Sequence, residues 1–404
     1  MYTQEEVLDF VKEEDVKFIR LAFFDIFGKQ KNISIMADEM ENAFKNGVSF
    51  DASAVKGFQT PDKSDLFLHP DPSTLVVLPW RPTQGKVIRM LCDIKYPDGT
   101  PYEKDSRYIL KQAVKAAREE CNVEMRIGSE VEFYLFKLDL NGNHTKDPLD
   151  YASYMDLAPE DKGENIRREI CFTLEQMGII PEASHHEEGP GQNEIDFHYS
   201  DPLTCADNTS TFKWVVRQKA ASSGLYADFS PKPLSHKAGS GMHINLSCKR
   251  IGSDESEDYT ENLIAGIIKH IKEITLFLNP SEDSYNRLGN NKAPKYITWG
   301  KENRSQLIRI PASKGVTRLE IRSPDPECNP YIAYAMIIYA AIDGIKNNLK
   351  APAENKLNLF QIDSKAAENY EILPQSLEEA YEITSKSEFV KNYIKQDIID
   401  SYHN

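Results

Sequence analysis

Four short stretches of the sequence alternate ionisable and apolar residues, as β-strands do when one face of a sheet is charged. In the first stretch, residues 127–136, Glu130 and Glu132 share one face while Val131 and Phe133 point the other way. Side chains two residues apart on a strand lie roughly 7 Å apart, so two metal ions could bind beside these carboxylates. The pattern predicts a sheet with a charged, metal-binding face.

Three further stretches repeat this alternation, and a loop before the first of them carries Glu187. The polar residues that share a face are Glu194, Asp196 and His198 in residues 193–199, His243, Asn245 and Ser247 in residues 241–247, and Arg318, Glu320 and Arg322 in residues 317–322. Each stretch alone is also typical of an antiparallel strand with one solvated face. However, aromatic and branched residues surround the glutamates, and buried carboxylates need cations. Carboxylates with one imidazole favour Mg²⁺ or Mn²⁺ over zinc, which indicates metal-dependent phosphoryl chemistry.

Composition limits the classes of partner. The 404 residues suffice for two domains, and a net charge of −15 without a basic stripe argues against nucleic acid as a partner. Six cysteines without CxxC spacing predict neither disulfides nor zinc knuckles, so we expect a cytoplasmic protein. The acidic start shows no secretory signal, and the apolar run 334–342 is too short to span a bilayer, so no membrane partner is expected.

The order of elements predicts two domains of the α+β class. A short helix and a hairpin over residues 17–35 that turns at Gly28 predict a small N-terminal sheet domain. A loop over residues 96–102 then precedes a helix that begins near Ser106, so we place the domains at residues 1–102 and 103–404. Neither a P-loop nor a GxGxxG motif is present, so any ATP site must use another architecture.

Several long segments resemble, in the right order, the motifs of the glutamine synthetase family, type I. These segments are residues 50–58, 128–133, 185–194, 239–247, 303–311 and 318–331. The resemblance implies an N-terminal β-grasp domain and a C-terminal catalytic domain with a curved antiparallel sheet and helices. It also implies a homo-oligomer in which neighbouring subunits share each active site. The implied activity is ATP-dependent formation of glutamine from glutamate and ammonia through γ-glutamyl phosphate.

The resemblance also assigns roles to individual residues. One divalent ion would be held by Glu132, Glu187 and Glu194, and the second by Glu130, His243 and Glu320. Phosphate would be bound by Arg304 and Arg309, and glutamate by Arg287, Arg322 and Gly239. The nucleotide side would be lined by Glu182, Asn245 and Ser247. Asp51, donated by the adjacent subunit and accompanied by Ser53, would bind ammonium and take its proton. Cations are needed because a carboxylate attacks the γ-phosphorus of ATP and two anions must meet.

The sequence departs from the family pattern around the amine and glutamate sites. Residues 289–294, the flap, are one residue shorter than in the family, and Lys292 stands where a glutamate is expected. A positive charge there would repel ammonium by about 1–4 kcal/mol at a separation of 4 Å. Ala238 replaces an asparagine of the substrate loop. The sequence ends before the family's C-terminal strap, which joins two hexameric rings, so a hexameric ring and a dodecamer both stay open.

Three functions therefore remain open at this point. The first is a glutamate–ammonia ligase, because the metal ligands, the arginines and Asp51 are all present. The second is a γ-glutamyl ligase for another amine, admitted by the altered flap. The third is a non-catalytic regulatory or structural homologue, although clustered carboxylates without metal would repel one another.

Overall fold

The computed structural model describes residues 2–81, 83–252, 258–313, 315 and 317–403. The chain divides into two compact units: Met1–Ile109 with Thr173–Ile179, and Leu110–Phe172 with Ile180–Asn404. This division falls inside a helix, whereas we placed the domain boundary in the loop before that helix. The boundary at residue 103 stays a prediction.

A mixed sheet forms the first unit. Its strands are β1 (Val16–Phe24), β2 (Gln30–Met36), β3 (Val48–Asp51), β4 (Asp65–Pro70), β5 (Val76–Val77) and β6 (Lys86–Lys95), with helices α1 (Gln4–Glu13) and α2 (Met40–Asn46) beside them. The strand order is β2-β1-β6-β4-β3, with β5 paired to β6; β1 and β6 are parallel and the other pairs antiparallel. Alternate strand residues such as Ile19, Leu21 and Ile88 are fully buried.

Local signals explain two elements of this unit. Helix α1 begins after Thr3, whose hydroxyl accepts from the Glu6 amide while the Glu6 carboxylate accepts from the Thr3 amide, at 3.2 and 2.7 Å. The predicted hairpin is confirmed as β1 and β2, and Gly28 turns with φ +75°. That conformation favours glycine because a side chain would be strained there.

A larger sheet forms the second unit. Its strands are β7 (Val123–Leu138), β8 (His144–Pro148), β9 (Pro181–His186), β10 (Gln192–Phe197), β11 (Leu225–Asp228), β12 (Met242–Arg250), β13 (Trp299–Lys301), β14 (Ile308–Ile310) and β15 (Leu319–Ile321). The order is β13-β14-β15-β12-β7-β10-β9, and the long strand β7 also pairs with β8 and β11. All pairs are antiparallel except β13 with β14.

Helices occupy much of the rest of the described chain. They are α3 (Ser106–Cys121), α4 (Glu164–Gln176), α5 (Pro202–Ser222), α6 (Thr260–Leu278), α7 (Glu282–Arg287), α8 (Pro330–Lys346), α9 (Ser364–Ala367), α10 (Leu377–Lys386), α11 (Glu388–Lys391) and α12 (Gln396–Ser401). The helix predicted to begin near Ser106 is confirmed as α3. The apolar run 334–342 lies in α8 and is buried. Among the described residues, no helix is long and apolar enough to cross a membrane.

The two longest apolar helices pack closely because two glycines face each other's backbone. A Cβ atom on Gly266 of α6 would lie 2.1 Å from the carbonyl oxygen of Ala340 in α8. A Cβ atom on Gly344 of α8 would lie 2.0 Å from the carbonyl oxygen of Asn262. Any side chain at either glycine would therefore push these helices apart.

Candidate active site

Strand register brings the predicted metal ligands together at the centre of the larger sheet. In β7, Glu132 lies opposite Glu194 of β10. Glu130, two residues earlier, lies opposite His243 of β12 on one side and Asp196 of β10 on the other. The apolar residues between them face the core: Val131, Ile195 and Ile244 are fully buried. The alternation of the sequence therefore places the acidic groups on one face.

These side chains border a cavity of about 300 Å³ in the second unit. The predicted site residues in its lining are Glu130, Glu132, Glu187, Glu194, Gly239, His243, Arg287, Arg304 and Arg322. The predicted residues of this unit that lie outside the lining are Glu182, Asn245, Ser247, Arg309 and Glu320. Most of the predicted constellation is thus assembled around one cleft.

Glu320 lies buried beneath this cavity between two arginines. Its carboxylate accepts from Arg322 Nη1 at 2.6 Å and from Arg309 Nη1 at 2.5 Å. Burial alone would raise the pKa of Glu320, but Arg322, His243 and Arg309 together lower it to about 2. The carboxylate therefore stays ionised throughout the physiological range.

Glu320 also belongs to a three-residue cluster with metal-ligand spacing. One ligand atom each from Glu130, His243 and Glu320 lies within 4.8 Å of the others. His243 Nδ1 is 3.4 Å from Glu130 Oε2 and 3.6 Å from Glu320 Oε1. Burial opposes ionisation of Glu130, yet the contact with His243 leaves its pKa below the usual value. This cluster has the composition predicted for the second ion.

The carboxylates predicted for the first ion line the same cavity. Glu132 Oε2 accepts from the Gly241 amide and from Gln192 Nε2, both at 2.9 Å, which fixes its orientation. Burial raises the pKa of Glu132, and it raises that of Glu194 well above the usual value, with the neighbouring carboxylates adding to the effect. Glu194 also clusters within 4.8 Å of His185 and Asp196, two residues outside the predicted set.

The donor chemistry of the cleft fits hard divalent cations. Five carboxylates and one imidazole from the predicted set border or underlie one cavity, and most of them are buried. Buried carboxylates that raise one another's pKa bind protons or cations to relieve the repulsion. Oxygen-rich sites of this kind suit magnesium or manganese.

Arginines form the opposite part of the lining. Arg287 is buried and donates from Nη1 to the Ser323 carbonyl at 2.7 Å and from Nη2 to the Arg322 carbonyl at 3.1 Å. Arg304 is exposed and so can reach a ligand in the cavity. The Nε atoms of Arg309 and Arg322 are buried without a hydrogen-bond partner among the described residues, while the Nη1 atoms of both side chains donate to Glu320.

The residues predicted for the nucleotide side lie on two strands. Asn245 and Ser247 are partly buried on β12, and Glu182 is exposed on β9. Asn245 Nδ2 donates to Glu130 Oε1 at 2.8 Å, while its Oδ1 accepts from Arg318 Nε at 3.0 Å. Asn245 therefore links the metal-ligand cluster to the exposed end of Arg318.

The two predicted residues of the first unit contact each other. Asp51 ends β3 and is exposed, and its Oδ1 accepts from the Ser53 hydroxyl at 2.6 Å and from the Ser53 amide at 2.9 Å. These hydrogen bonds hold the pKa of Asp51 below its usual value. Asp51 is therefore an exposed carboxylate that stays charged, as a cation-binding group should.

Several cavity residues were not predicted as site residues. They are Tyr154, His185, Glu188, Gln192 and Asp196. Asp196 carried a usable signal because it shares a strand face with Glu194. Glu188 directly follows the predicted ligand Glu187, but no local sequence pattern indicates that Glu188 contacts Lys292 of the flap.

The flap itself lies in the cavity lining. Lys292 and its neighbours Asn290, Asn291 and Ala293 border the cavity. Lys292 Nζ lies 2.8 Å from Glu188 Oε2, so the cation expected from the sequence is paired with a carboxylate. Ala238 also lines the cavity, and its carbonyl accepts from the Tyr134 hydroxyl at 2.6 Å.

Comparison with known proteins identifies the family. The glutamine synthetase β-grasp domain matches residues 15–97, and the glutamine synthetase catalytic domain matches residues 103–404. The glutamine synthetase of Methanosarcina mazei is 46% identical over 413 residues, covering 99% of this chain and 92% of that protein. That of Clostridium saccharobutylicum is 44% identical and covers 99% of this chain and 93% of that protein.

Solved structures agree with this result. A GmaS–ADP complex superposes with a TM-score of 0.89 at 28% identity, covering 98% of this chain and 94% of that one. The cryo-EM structure of Plasmodium falciparum glutamine synthetase gives 0.86 at 24% identity, covering 100% and 94%, and shows the shared fold alone. The predicted fold of a β-grasp domain followed by a catalytic domain is confirmed. This chain belongs to the glutamine synthetase family.

Proposed function

We propose that this chain forms glutamine from glutamate and ammonia with ATP, through a γ-glutamyl phosphate intermediate. The observation that carries the proposal is the cleft in which strand register brings the acidic residues onto one face of the sheet, where arginines border the same cavity. The family relatives at 44–46% identity, which are named glutamine synthetases, support the same activity.

In this proposal the acidic residues bind two divalent ions, Mg²⁺ or Mn²⁺. One ion is held by Glu132, Glu187 and Glu194, and the other by Glu130, His243 and Glu320. Bound divalent ions neutralise the charge that spreads over a transferring phosphoryl group. The clustering of Glu130, His243 and Glu320 within 4.8 Å supports the second assignment.

The arginines bind the two anionic substrates. We assign Arg287, Arg322 and Gly239 to glutamate, and Arg304 and Arg309 to phosphate. Gly239 suits this role because a Cβ atom there would lie 2.5 Å from the Pro231 carbonyl oxygen and 2.9 Å from Arg287 Cγ. Only glycine therefore lets the substrate loop run against Arg287.

The chemistry follows from these placements. The glutamate carboxylate attacks the γ-phosphorus of ATP, a P–O bond forms, and ADP leaves. Ammonia then attacks the acyl carbon, the adduct loses a proton to solvent, and the C–O bond to the phosphate breaks, so that inorganic phosphate leaves and the amide remains. Asp51 of a neighbouring subunit, kept charged by Ser53, binds ammonium and takes a proton. The arginines stabilise the anionic groups in both steps.

Nucleotide, assembly and location complete the proposal. We assign Glu182, Asn245 and Ser247 to ATP binding. We propose that the protein assembles into a homo-oligomeric ring, either a hexamer or a dodecamer. The GmaS structure was solved with ADP, which supports a nucleotide site in this fold. The six cysteines form no disulfide bond with one another, which fits the cytoplasmic location that we propose. Light scattering during size-exclusion chromatography measures the ring size, and a monomer would contradict the assembly.

The test is ADP release with ATP, magnesium and glutamate, measured without acceptor, with ammonium, and with a panel of primary amines. Strong stimulation by ammonium, with glutamine detected by mass spectrometry, is expected. If calorimetry shows that the protein binds Mg²⁺ but no acceptor stimulates ADP release, the proposal is refuted. That result would favour another acid substrate or a non-catalytic role.

A second candidate is a γ-glutamyl ligase for an organic amine. The position of Lys292 in the cavity lining favours it, because the flap carries a lysine where the family pattern has a glutamate and so suits an acceptor other than ammonium. Under this alternative, one amine of the panel stimulates ADP release more strongly than ammonium does, and the product is a γ-glutamylamide.

A further inference from the structure

A buried histidine ends the strand that leads into the assigned metal ligand Glu187. His186 is the last residue of β9, it is fully buried, and it lies outside the cavity lining. Its Nε2 atom lies 2.8 Å from Asp150 Oδ1, and Asp150 is buried as well. The proposed function gives no role to either residue, although both are polar and lie behind the cleft.

The other nitrogen of the His186 ring holds the peptide group that follows Glu187. His186 Nδ1 lies 2.6 Å from the Glu187 carbonyl oxygen, and Nδ1 is the donor because a carbonyl only accepts. In a trans peptide the N–H points away from the C=O, so the direction of this carbonyl also sets that of the Glu188 amide. That amide donates to Glu187 Oε2 at 3.0 Å. Three hydrogen bonds therefore connect the Asp150 carboxylate to the carboxylate of Glu187.

Asp150 also holds the far end of the turn between β9 and β10. Its Oδ1 atom accepts from the amide of Gly191, the residue before β10, at 3.0 Å. Its Oδ2 atom accepts from the Lys162 amide at 2.9 Å, which anchors the carboxylate outside the turn. One aspartate thus joins His186, where the turn begins, to Gly191, where the turn ends. The turn between them carries Glu187.

The surrounding cluster has the spacing of a metal site but already contains a cation. One ligand atom each from Asp150, Asp161 and His186 lies within 4.8 Å of the others, and all three residues are buried. However, Arg167 is also buried and donates to both carboxylate oxygens of Asp161, at 3.1 and 2.5 Å. A paired guanidinium neutralises a buried carboxylate without a metal ion. These contacts favour a fixed hydrogen-bond network over a further ion site.

We propose that Asp150 and His186 are positioning residues for the first metal ion, and that they hold the Glu187 carboxylate in its binding orientation before the ion arrives. This inference rests on the proposed function, which assigns Glu187 to that ion together with Glu132 and Glu194. Hydrogen-bond partners behind a metal ligand fix its orientation, and their replacement weakens metal binding by about 10–100-fold. Here a histidine and a peptide group transmit the effect of Asp150 to the ligand.

The experiment measures the dissociation constants of Mn²⁺ by calorimetry without nucleotide or glutamate, so the readout does not depend on activity. Asp150→Ala should weaken one of the two Mn²⁺ sites about tenfold, because the turn loses its link between His186 and Gly191. His186→Gln should do the same, since glutamine reaches Asp150 but no longer donates to the Glu187 carbonyl. The other Mn²⁺ site should stay within about threefold in both variants. Unchanged dissociation constants in either variant would overturn the proposal.

Two further variants separate hydrogen bonding from charge. Asp150→Asn still offers an oxygen to His186 and to the Gly191 amide, so its dissociation constants should stay within about threefold of the wild-type values. A loss equal to that of Asp150→Ala would show that the charge of Asp150 acts on the ion directly, and would overturn the positioning role. Asp150→Ala combined with His186→Gln should bind Mn²⁺ at most about twofold more weakly than either single variant, because both act along one path. Losses that multiply would contradict that path.

A second buried histidine with a carboxylate partner provides the matched control. His270 of α6 is buried, and its Nε2 atom lies 3.0 Å from Asp343 Oδ2 of α8, outside the cavity lining. Asp343→Ala and His270→Gln should lower the midpoint of urea unfolding but leave the dissociation constants for Mn²⁺ within about twofold. Shifts as large as those of Asp150→Ala would mean that any loss of stability loosens the cleft, and would overturn the proposal. If circular dichroism shows that Asp150→Ala does not fold, His186→Gln decides the test.

This inference and the proposed function fail in different ways. If wild type binds Mn²⁺ but releases no ADP with any acceptor, the proposed function is refuted, and the positioning role is judged from the dissociation constants alone. If wild type releases ADP with ammonium while the variants keep the wild-type dissociation constants, only the positioning role is overturned. A wild type that binds no Mn²⁺ also overturns the positioning role, since Glu187 then holds no ion.

Discussion

Gly189 has no space for a side chain, so Gly189→Ala tests how the turn between β9 and β10 supports the cleft. The new methyl group would lie 1.9 Å from the Tyr134 hydroxyl oxygen and 2.7 Å from Gln192 Oε1. Ordinary van der Waals contacts begin at 3.4 Å. The tyrosine or the turn must therefore move by roughly 1.5 Å in a closely packed interior.

The expected cost follows from what these neighbours hold. The fully buried Tyr134 donates to the Ala238 carbonyl, and Gln192 donates to Glu132. Overpacking costs about 1–3 kcal/mol, and a buried polar group that loses its partner costs about as much. We expect the free energy of unfolding to fall by about 2–5 kcal/mol, with a higher magnesium requirement because Glu132 loses its support.

The assay is urea unfolding followed by circular dichroism, with Gly315→Ala as the matched control. Among the described residues, and apart from its chain neighbours, no heavy atom lies within 4 Å of a Cβ atom built on Gly315, so that replacement should change the free energy of unfolding by less than about 0.5 kcal/mol. Adding Tyr134→Phe to Gly189→Ala should restore part of the loss, because the nearest atom is removed. Equal stabilities for the Gly189 and Gly315 variants would refute the steric argument.

Three further predictions follow from other residues. Lys292→Glu should increase ammonium-dependent turnover because a repelling cation becomes a carboxylate; no change or a decrease would contradict the alignment of the flap. Burial beside Asp93 raises the pKa of Asp105 from 3.8 to about 7, so the folded chain keeps a proton that the unfolded chain releases. The free energy of unfolding should therefore fall as pH rises from about 4 to 7, and Asp105→Asn should remove up to about 4 kcal/mol of that fall. Urea unfolding at several pH values measures this difference. Parallel pH profiles for wild type and Asp105→Asn would contradict the prediction. Arg322→Met should lower the free energy of unfolding by about 3 kcal/mol because buried Glu320 loses a partner, whereas exposed Arg318→Met should change it by less than about 0.5 kcal/mol; equal losses in thermal melts would contradict this.

The sequence predicts the ligand-bearing strands well because the two-residue period of a strand is local. Glu130 and Glu132 share a face in any strand that contains both. Strand ends are less predictable. His198 was placed in the second stretch, yet β10 ends at Phe197, where the pairing with β9 shifts register and the His198 amide donates to the Ile180 carbonyl.

A local sequence pattern cannot predict contacts between residues that are far apart in the chain. The contact of Glu188 with Lys292 joins a turn to the flap, and nothing near either residue in the sequence indicates the other. The same holds for Tyr154, which lies in an irregular segment and reaches the cavity only through tertiary packing.

The register of β7 with its neighbours constrains how this protein can vary. Glu130 and Glu132 alternate with core residues such as Val131, and their partners on β10 and β12 alternate in the same way. Inserting or deleting one residue in β7 would exchange the two faces, so carboxylates would enter the core and valine would enter the cleft. Length changes there would destroy stability and chemistry together, whereas loops can lengthen freely. Changes in chain length are therefore directed to the loops that connect these strands.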